Sequence, residues 1–154
     1  MMKKSPSSKA RRSAARLMAV QAVYQMFMNG HDSKSIVEEY LQHRSGMDVE
    51  GEEMIKPDPD LFQTLTNGVA QHRAELEKII KAARAGREDE QKAKTELLLG
   101  AVLFCGAYEL KFHQDIDFPI IISDYLEVSK AFYDGKEPAL VNAVLDKVRQ
   151  AVRA

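Results

Sequence analysis

The sequence has 154 residues, 45% hydrophobic and 29% charged, with one cysteine and no tryptophan. That length suits one domain with a real core. A lone Cys105 excludes a disulfide scaffold and a Cys-rich zinc module, and makes a reducing compartment the natural home. The net charge of −1 conceals a split: residues 1–16 carry Lys3, Lys4, Lys9, Arg11, Arg12 and Arg16 with no acid, while the other sixteen basic residues face all twenty-three acids, leaving −7 on the rest. A basic end on an acidic body points to a polyanionic partner at that end.

The first 28 residues superficially resemble a secretory signal, but Arg16, Gln21 and Gln25 interrupt the apolar run and no small-residue cleavage site closes it. A second apolar run, residues 97–108, falls short of the about 20 residues that span a bilayer. The expectation is a cytoplasmic protein without a membrane segment.

In chain order, residues 1–9 lack apolar periodicity and read as a flexible basic arm, ahead of a single helical domain over 10–154. Residues 10–29 turn helical, with Leu17, Val20, Tyr24, Phe27 and Met28 in one stripe and Asn29-Gly30 as a left-handed C-cap. A shorter helix buries Ile36, Val37, Tyr40 and Leu41. Residues 45–57, acidic with Gly46, Gly51 and Pro57, read as a surface loop. Asp58-Pro59 then opens one long helix with Leu61, Leu65, Val69, His72, Leu76, Ile79 and Ala83 inward, up to a break at Gly86 and residues 87–90.

Residues 92–112 are apolar on nearly every face between Leu97 and Tyr108, the mark of a buried central helix. Pro119 starts a helix with Ile121, Tyr125, Val128 and Phe132 inward. Pro138 starts the last, with Val141, Val144, Leu145, Val148 and Val152 inward. No alternating strand pattern occurs, so the fold class is all-α, a compact bundle of six or seven helices.

No residues assemble into a catalytic or metal constellation. His31, His43, His72 and His113 show no metal spacing, no phosphate-loop motif occurs, and Cys105 sits where burial makes a thiol inert. His72 on its apolar stripe reads as a hydrogen-bonded core histidine. Glu109, beside Tyr108 at the end of the greasy run, reads as a carboxylate bonded to the backbone or to a basic side chain of another helix rather than as a general acid. Asn142 among apolar neighbours reads as a buried structural amide. No cofactor and no metal are expected, and no enzyme activity.

The basic arm carries the functional signal. Arg12 and Arg16, four apart, project from one side of the first helix, and Arg11 joins them. With Lys3, Lys4 and Lys9 they could neutralise phosphates; six contacts to a single strand would give a salt slope of at most roughly −4, from about −0.7 per phosphate. Tyr24 and Phe27 read as core rather than as base-stacking platforms.

Three segments carry a family resemblance. Residues 10–25, Ala10-Arg11-Arg12-Ser13-Ala14-Ala15-Arg16 followed by Leu17-Met18-Ala19-Val20-Gln21-Ala22-Val23-Tyr24-Gln25, are similar to an Arg-rich start and an A-x-Q-A-[LV]-Y segment. Ala107-Tyr108-Glu109-Leu110 and the helix pair running to Lys130-Ala131-Phe132 form the second. Leu140-Val141-Asn142-Ala143-Val144-Leu145-Asp146-Lys147 resembles an F-V-N-[GA]-V-L-D closing motif. In this order and spacing the sequence resembles transcription antitermination factors of the NusB family. Phe104, Leu99-Gly100, Leu140 and Ser123-Asp124 depart from the family pattern, and residues 45–57 are longer and more acidic than it.

The resemblance implies two small helical sub-bundles packed together and a non-enzymatic role: binding single-stranded boxA RNA of ribosomal RNA transcripts jointly with NusE, in the RNA polymerase antitermination complex. Lys9, Arg11, Arg12 and Arg16, with Lys136, are the expected RNA-binding residues, and Gln21 and Tyr24 the expected partner-binding residues. Asn142 and Asp146 match the closing motif. The acidic body suits a basic ribosomal protein. A homodimer is left open. The alternative is a helical protein–protein interaction module without RNA binding; an RNA-binding domain of a methyltransferase is disfavoured because no cofactor-binding α/β pattern occurs before Ala154.

Overall fold

The computed structural model describes residues 7–43, 48–49, 52–53, 55–85 and 97–153. Seven α-helices occur among them: α1 (Ser8–Asn29), α2 (Ser33–His43), α3 (Pro59–Gln71), α4 (Arg73–Ala83), α5 (Leu97–Phe112), α6 (Phe118–Phe132) and α7 (Glu137–Val152). Between α2 and α3, Asp48–Val49 and Glu52–Glu53 pair antiparallel, a two-rung ribbon inside the segment read as loop. The rest of residues 1–6 and the expected break at 86–90 lie outside the described residues, as does the expected start of the central helix at 92–96. No described helix is long and apolar enough to cross a membrane.

Local chemistry sets the helix ends. Ser7 caps α1, its hydroxyl accepting from the Ala10 N–H at 3.1 Å, and Gly30 closes it at φ 72°, where a side chain would be strained. The helix therefore starts at Ser8 and takes in Lys9, which the sequence assigns to the arm. Asp58 caps α3 by accepting from the Asp60 and Leu61 N–H groups, with Pro59 at the first helical position.

The centre is α5, whose greasy surface is buried all round: Leu99, Ala101, Val102, Leu103 and the run 105–110 are all in the interior. It is covered by α1, α3, α4, α6 and α7, while α2 packs on α1 and α3. Fully buried Phe62, Leu65, Leu103, Leu110, Tyr125 and Leu145 interlock there; each such side chain contributes about 1.5–3 kcal/mol of burial.

Three expectations about side-chain placement are corrected. On α1 the expected stripe is innermost only at Val20, which is fully buried: Leu17, Tyr24 and Phe27 are half-buried and Met28 is 53% exposed. Ala15, Ala19, Ala22 and Val23 lie deepest instead, because α1 is squeezed between α3, α5 and α6 and small residues allow that approach. The long helix over 58–83 is two helices meeting at His72 (φ −108°, ψ 20°), whose ring leaves the core to lie 4.4 Å from Phe112 and to meet Glu75 at 3.2 Å. Asn142 is exposed, because on α7 it lies roughly 100° round from the inward row of Val141, Val144, Leu145 and Val148.

Candidate nucleic-acid interface

The expected RNA-binding residues separate into two environments. Lys9, Arg11 and Arg12 all occupy the first turns of α1 and are exposed. Arg11 is also tied to the segment preceding α3: its carbonyl accepts from the Asp58 N–H at 3.0 Å, and its Nε donates to the Lys56 carbonyl at 3.4 Å. Lys136 is exposed just before α7, and among the described residues no hydrogen bond or ion pair joins it to α1. Gln21 is exposed and Tyr24 half-buried on the same helix as the arginines.

Arg16 requires correction. Its side chain is 3% exposed, and its guanidinium is held inside the protein. Nε donates to Glu109 Oε2 at 2.7 Å, Nη2 to Glu109 Oε1 at 2.9 Å, and Nη1 to Asp124 Oδ2 at 2.7 Å. A planar fork engaged two-fold by one carboxylate and again by a second has no free edge for a phosphate. The i,i+4 spacing with Arg12 is real, but α1 turns its Arg16 edge onto α5 and α6.

Glu109 is the hub of this cluster. It is fully buried, and besides Arg16 it accepts from the Tyr125 hydroxyl at 2.5 Å and faces His113 Nδ1 at 3.2 Å. Ser13 Oγ donates to the other oxygen of Asp124 at 2.9 Å, so two consecutive turns of α1 are pinned to α6. The reading of Glu109 as a carboxylate partnered by a base from another helix holds. A sequence signal for the pair existed: each is the one charge interrupting an otherwise apolar run, and buried charges survive only when paired.

Burial by itself would raise the Glu109 carboxyl, but the His113 contact, the Arg16 guanidinium and the Tyr125 hydroxyl outweigh it and hold the carboxyl down to about 2, from an ordinary 4.5. A depressed acid stabilises the fold above its unfolded value and ceases to do so as pH falls through its folded value. This contribution is therefore complete above about pH 4.5 and lost between there and about pH 2. Urea midpoints measured down this range should fall more steeply for the natural chain than for Glu109→Gln, which has no such carboxylate to protonate. Parallel curves would remove Glu109 as the source. Burial, and secondarily Glu109, pushes the Cys105 thiol far up, so it is inert at neutral pH.

Comparison with known proteins decides the family. A sequence profile of the NusB family matches residues 13–150. The chain belongs to the NusB family. It is 36% identical over 142 residues to the transcription antitermination protein NusB of Agrobacterium fabrum, covering 92% of this chain and 85% of that protein. NusB of Rhizobium johnstonii is 38% identical, with 92% and 88% covered. Among solved structures, the chain resembles one of the antitermination factors NusB and NusE in complex with dsRNA (TM-score 0.74, 18% identity, 94% of this chain and 99% of that chain) and one of T. maritima NusB (TM-score 0.69, 22% identity, 97% and 93%). These two share the all-α NusB fold with this chain: the absence of strand alternation predicts the all-α class, and the family resemblance implies the NusB arrangement.

Proposed function

We propose that this NusB-family chain is a transcription antitermination adaptor. It binds the boxA element of ribosomal RNA transcripts together with NusE and helps RNA polymerase read through terminators, working in the cytoplasm and without catalysis. Family membership over residues 13–150 carries the reading, together with the exposed basic turn at the start of α1. Lys9, Arg11 and Arg12 supply phosphate contacts there, Lys136 a further one, and Gln21 and Tyr24 face the protein partner. The acidic body repels RNA and favours a basic ribosomal protein, so the two partners sort themselves to different surfaces.

With Arg16 buried against Glu109, fewer cations on α1 reach a phosphate. Three cations on α1 correspond to a salt slope of roughly −2, from about −0.7 per phosphate of a single strand. The deciding experiment replaces Arg11 and Arg12 with alanine and measures boxA RNA binding by fluorescence anisotropy over a salt series. Affinity should fall about 25-fold, two contacts each worth about fivefold in water. The slope should flatten by about 1.4, while the melting temperature changes little, because both side chains are exposed and Arg11 gives up one solvent-exposed bond, to the Lys56 carbonyl. Single-stranded and duplex boxA probes run side by side show which form the surface prefers. Wild-type binding by the double variant would remove RNA from this surface and leave the protein–protein module.

A further inference from the structure

The basic surface of α1 is completed by a residue far away in sequence. The segment 55–58 runs along the first turns of α1, held by the Asp58 N–H on the Arg11 carbonyl at 3.0 Å and by Arg11 Nε on the Lys56 carbonyl at 3.4 Å. Lys56 is exposed and is brought against Arg11 across 45 positions of sequence.

Three local features make this placement purposeful. Lys56 precedes Pro57, and Pro59 follows Asp58, so this segment is restricted to extended backbone before any ligand arrives. Asp58 is the acid nearest in sequence to Lys56, and its Oδ1 is turned to the start of α3, where it accepts from both the Asp60 and Leu61 N–H groups. Among the described residues Arg11 gives the segment its Nε alone, to the backbone carbonyl of Lys56, which leaves the outer edge of its guanidinium for a bidentate phosphate contact next to an exposed lysine.

We infer that Lys56 is a fourth phosphate-binding residue of the α1 surface, acting beside Lys9, Arg11 and Arg12 on the backbone of single-stranded RNA. This rests on the RNA-binding reading above. Its chemistry is sequence-blind: an ammonium neutralises one phosphate and releases its counterion, adding affinity and salt dependence without base readout.

The test uses the full chain and a short boxA RNA in anisotropy titrations across a potassium chloride series, with a scrambled RNA of equal length. Lys56→Ala should weaken both RNAs about equally, by about fivefold at low salt, and flatten the slope by about 0.7. Lys56→Arg should restore both quantities. Lys81→Gln on α4 removes the same unit of charge elsewhere and should change neither. If Lys56→Ala binds as the natural chain does while the Arg11/Arg12 double variant loses affinity, Lys56 is not a contact and the RNA reading stands. If Lys81→Gln matches Lys56→Ala, only net charge matters and the assignment fails. If neither Lys56→Ala nor the arginine variant changes binding, the RNA reading fails and takes Lys56 with it.

Discussion

Arg16→Ala is expected to destabilise the protein by about 3–5 kcal/mol, the usual consequence of removing one partner from a buried ion pair. The natural arrangement satisfies three guanidinium N–H groups with two carboxylates. Without it, Glu109 keeps only the Tyr125 hydroxyl and the His113 ring while fully buried. It must then either carry an uncompensated charge in the interior or take up a proton. Urea unfolding followed by circular dichroism measures the loss directly. A second variant separates charge from packing: Arg16→Met combined with Glu109→Leu removes both charges at similar volume, and should lose much less than the two single changes added together. RNA affinity of the folded Arg16→Ala fraction should stay near that of the natural chain. The opposite pattern, intact stability with lost RNA binding, would return Arg16 to the surface where its spacing first put it.

Arg153→Ala should cost roughly 2–3 kcal/mol, a drop in melting temperature of roughly 5–10 °C for a domain of this size. The last turn of α5 leaves carbonyls that no helical N–H can reach. Arg153, immediately after α7, supplies the donors: Nε to the Leu110 carbonyl at 2.8 Å, Nη2 to that of His113 at 2.8 Å, and Nη1 to that of Ile116 at 2.7 Å. One guanidinium thus closes α5 and holds the turn into α6. It is half-buried, so water recovers part of each bond in the variant, which keeps the cost below the sum of three charged hydrogen bonds. Arg153→Lys should recover little, since one ammonium cannot reach three divergent carbonyls. An alanine variant that melts like the natural chain would show that these contacts are satisfied equally well by solvent.

Much of this architecture is legible locally. The caps at Gly30 and Asp58 and the inward rows of α2, α6 and α7 depend on residues a few positions apart, and they stand where the sequence places them. The greasy character of α5 marks it as central because nothing else could hide so much apolar surface. Where α1 presses hardest against its neighbours is a different matter. Alanines carry little hydrophobic signal, yet their small size lets α3, α5 and α6 approach, so the deepest face is the one that periodicity weighs least. His72 escapes for a related reason: the 3.6-residue count runs through it unbroken, and it is the contacts with Phe112, Tyr108 and Glu75 that hold its ring away from the core.

By itself the sequence determined a helical bundle, a charge split between one end and the body, and the family to which both belong. The first two follow from residue type and short-range spacing, and the family from the likeness of its motifs to those of known proteins. Tertiary structure alone decided which cations face solvent. Arg12 and Arg16 are equivalent along the chain, and what separates them is that α5 and α6 bring Glu109 and Asp124 beneath Arg16, whereas among the described residues no carboxylate meets Arg12, which is exposed. The same long-range packing carried Lys56 to Arg11. A pattern along one helix specifies directions around its axis, whereas charge complementarity between helices specifies which of those directions is the inside.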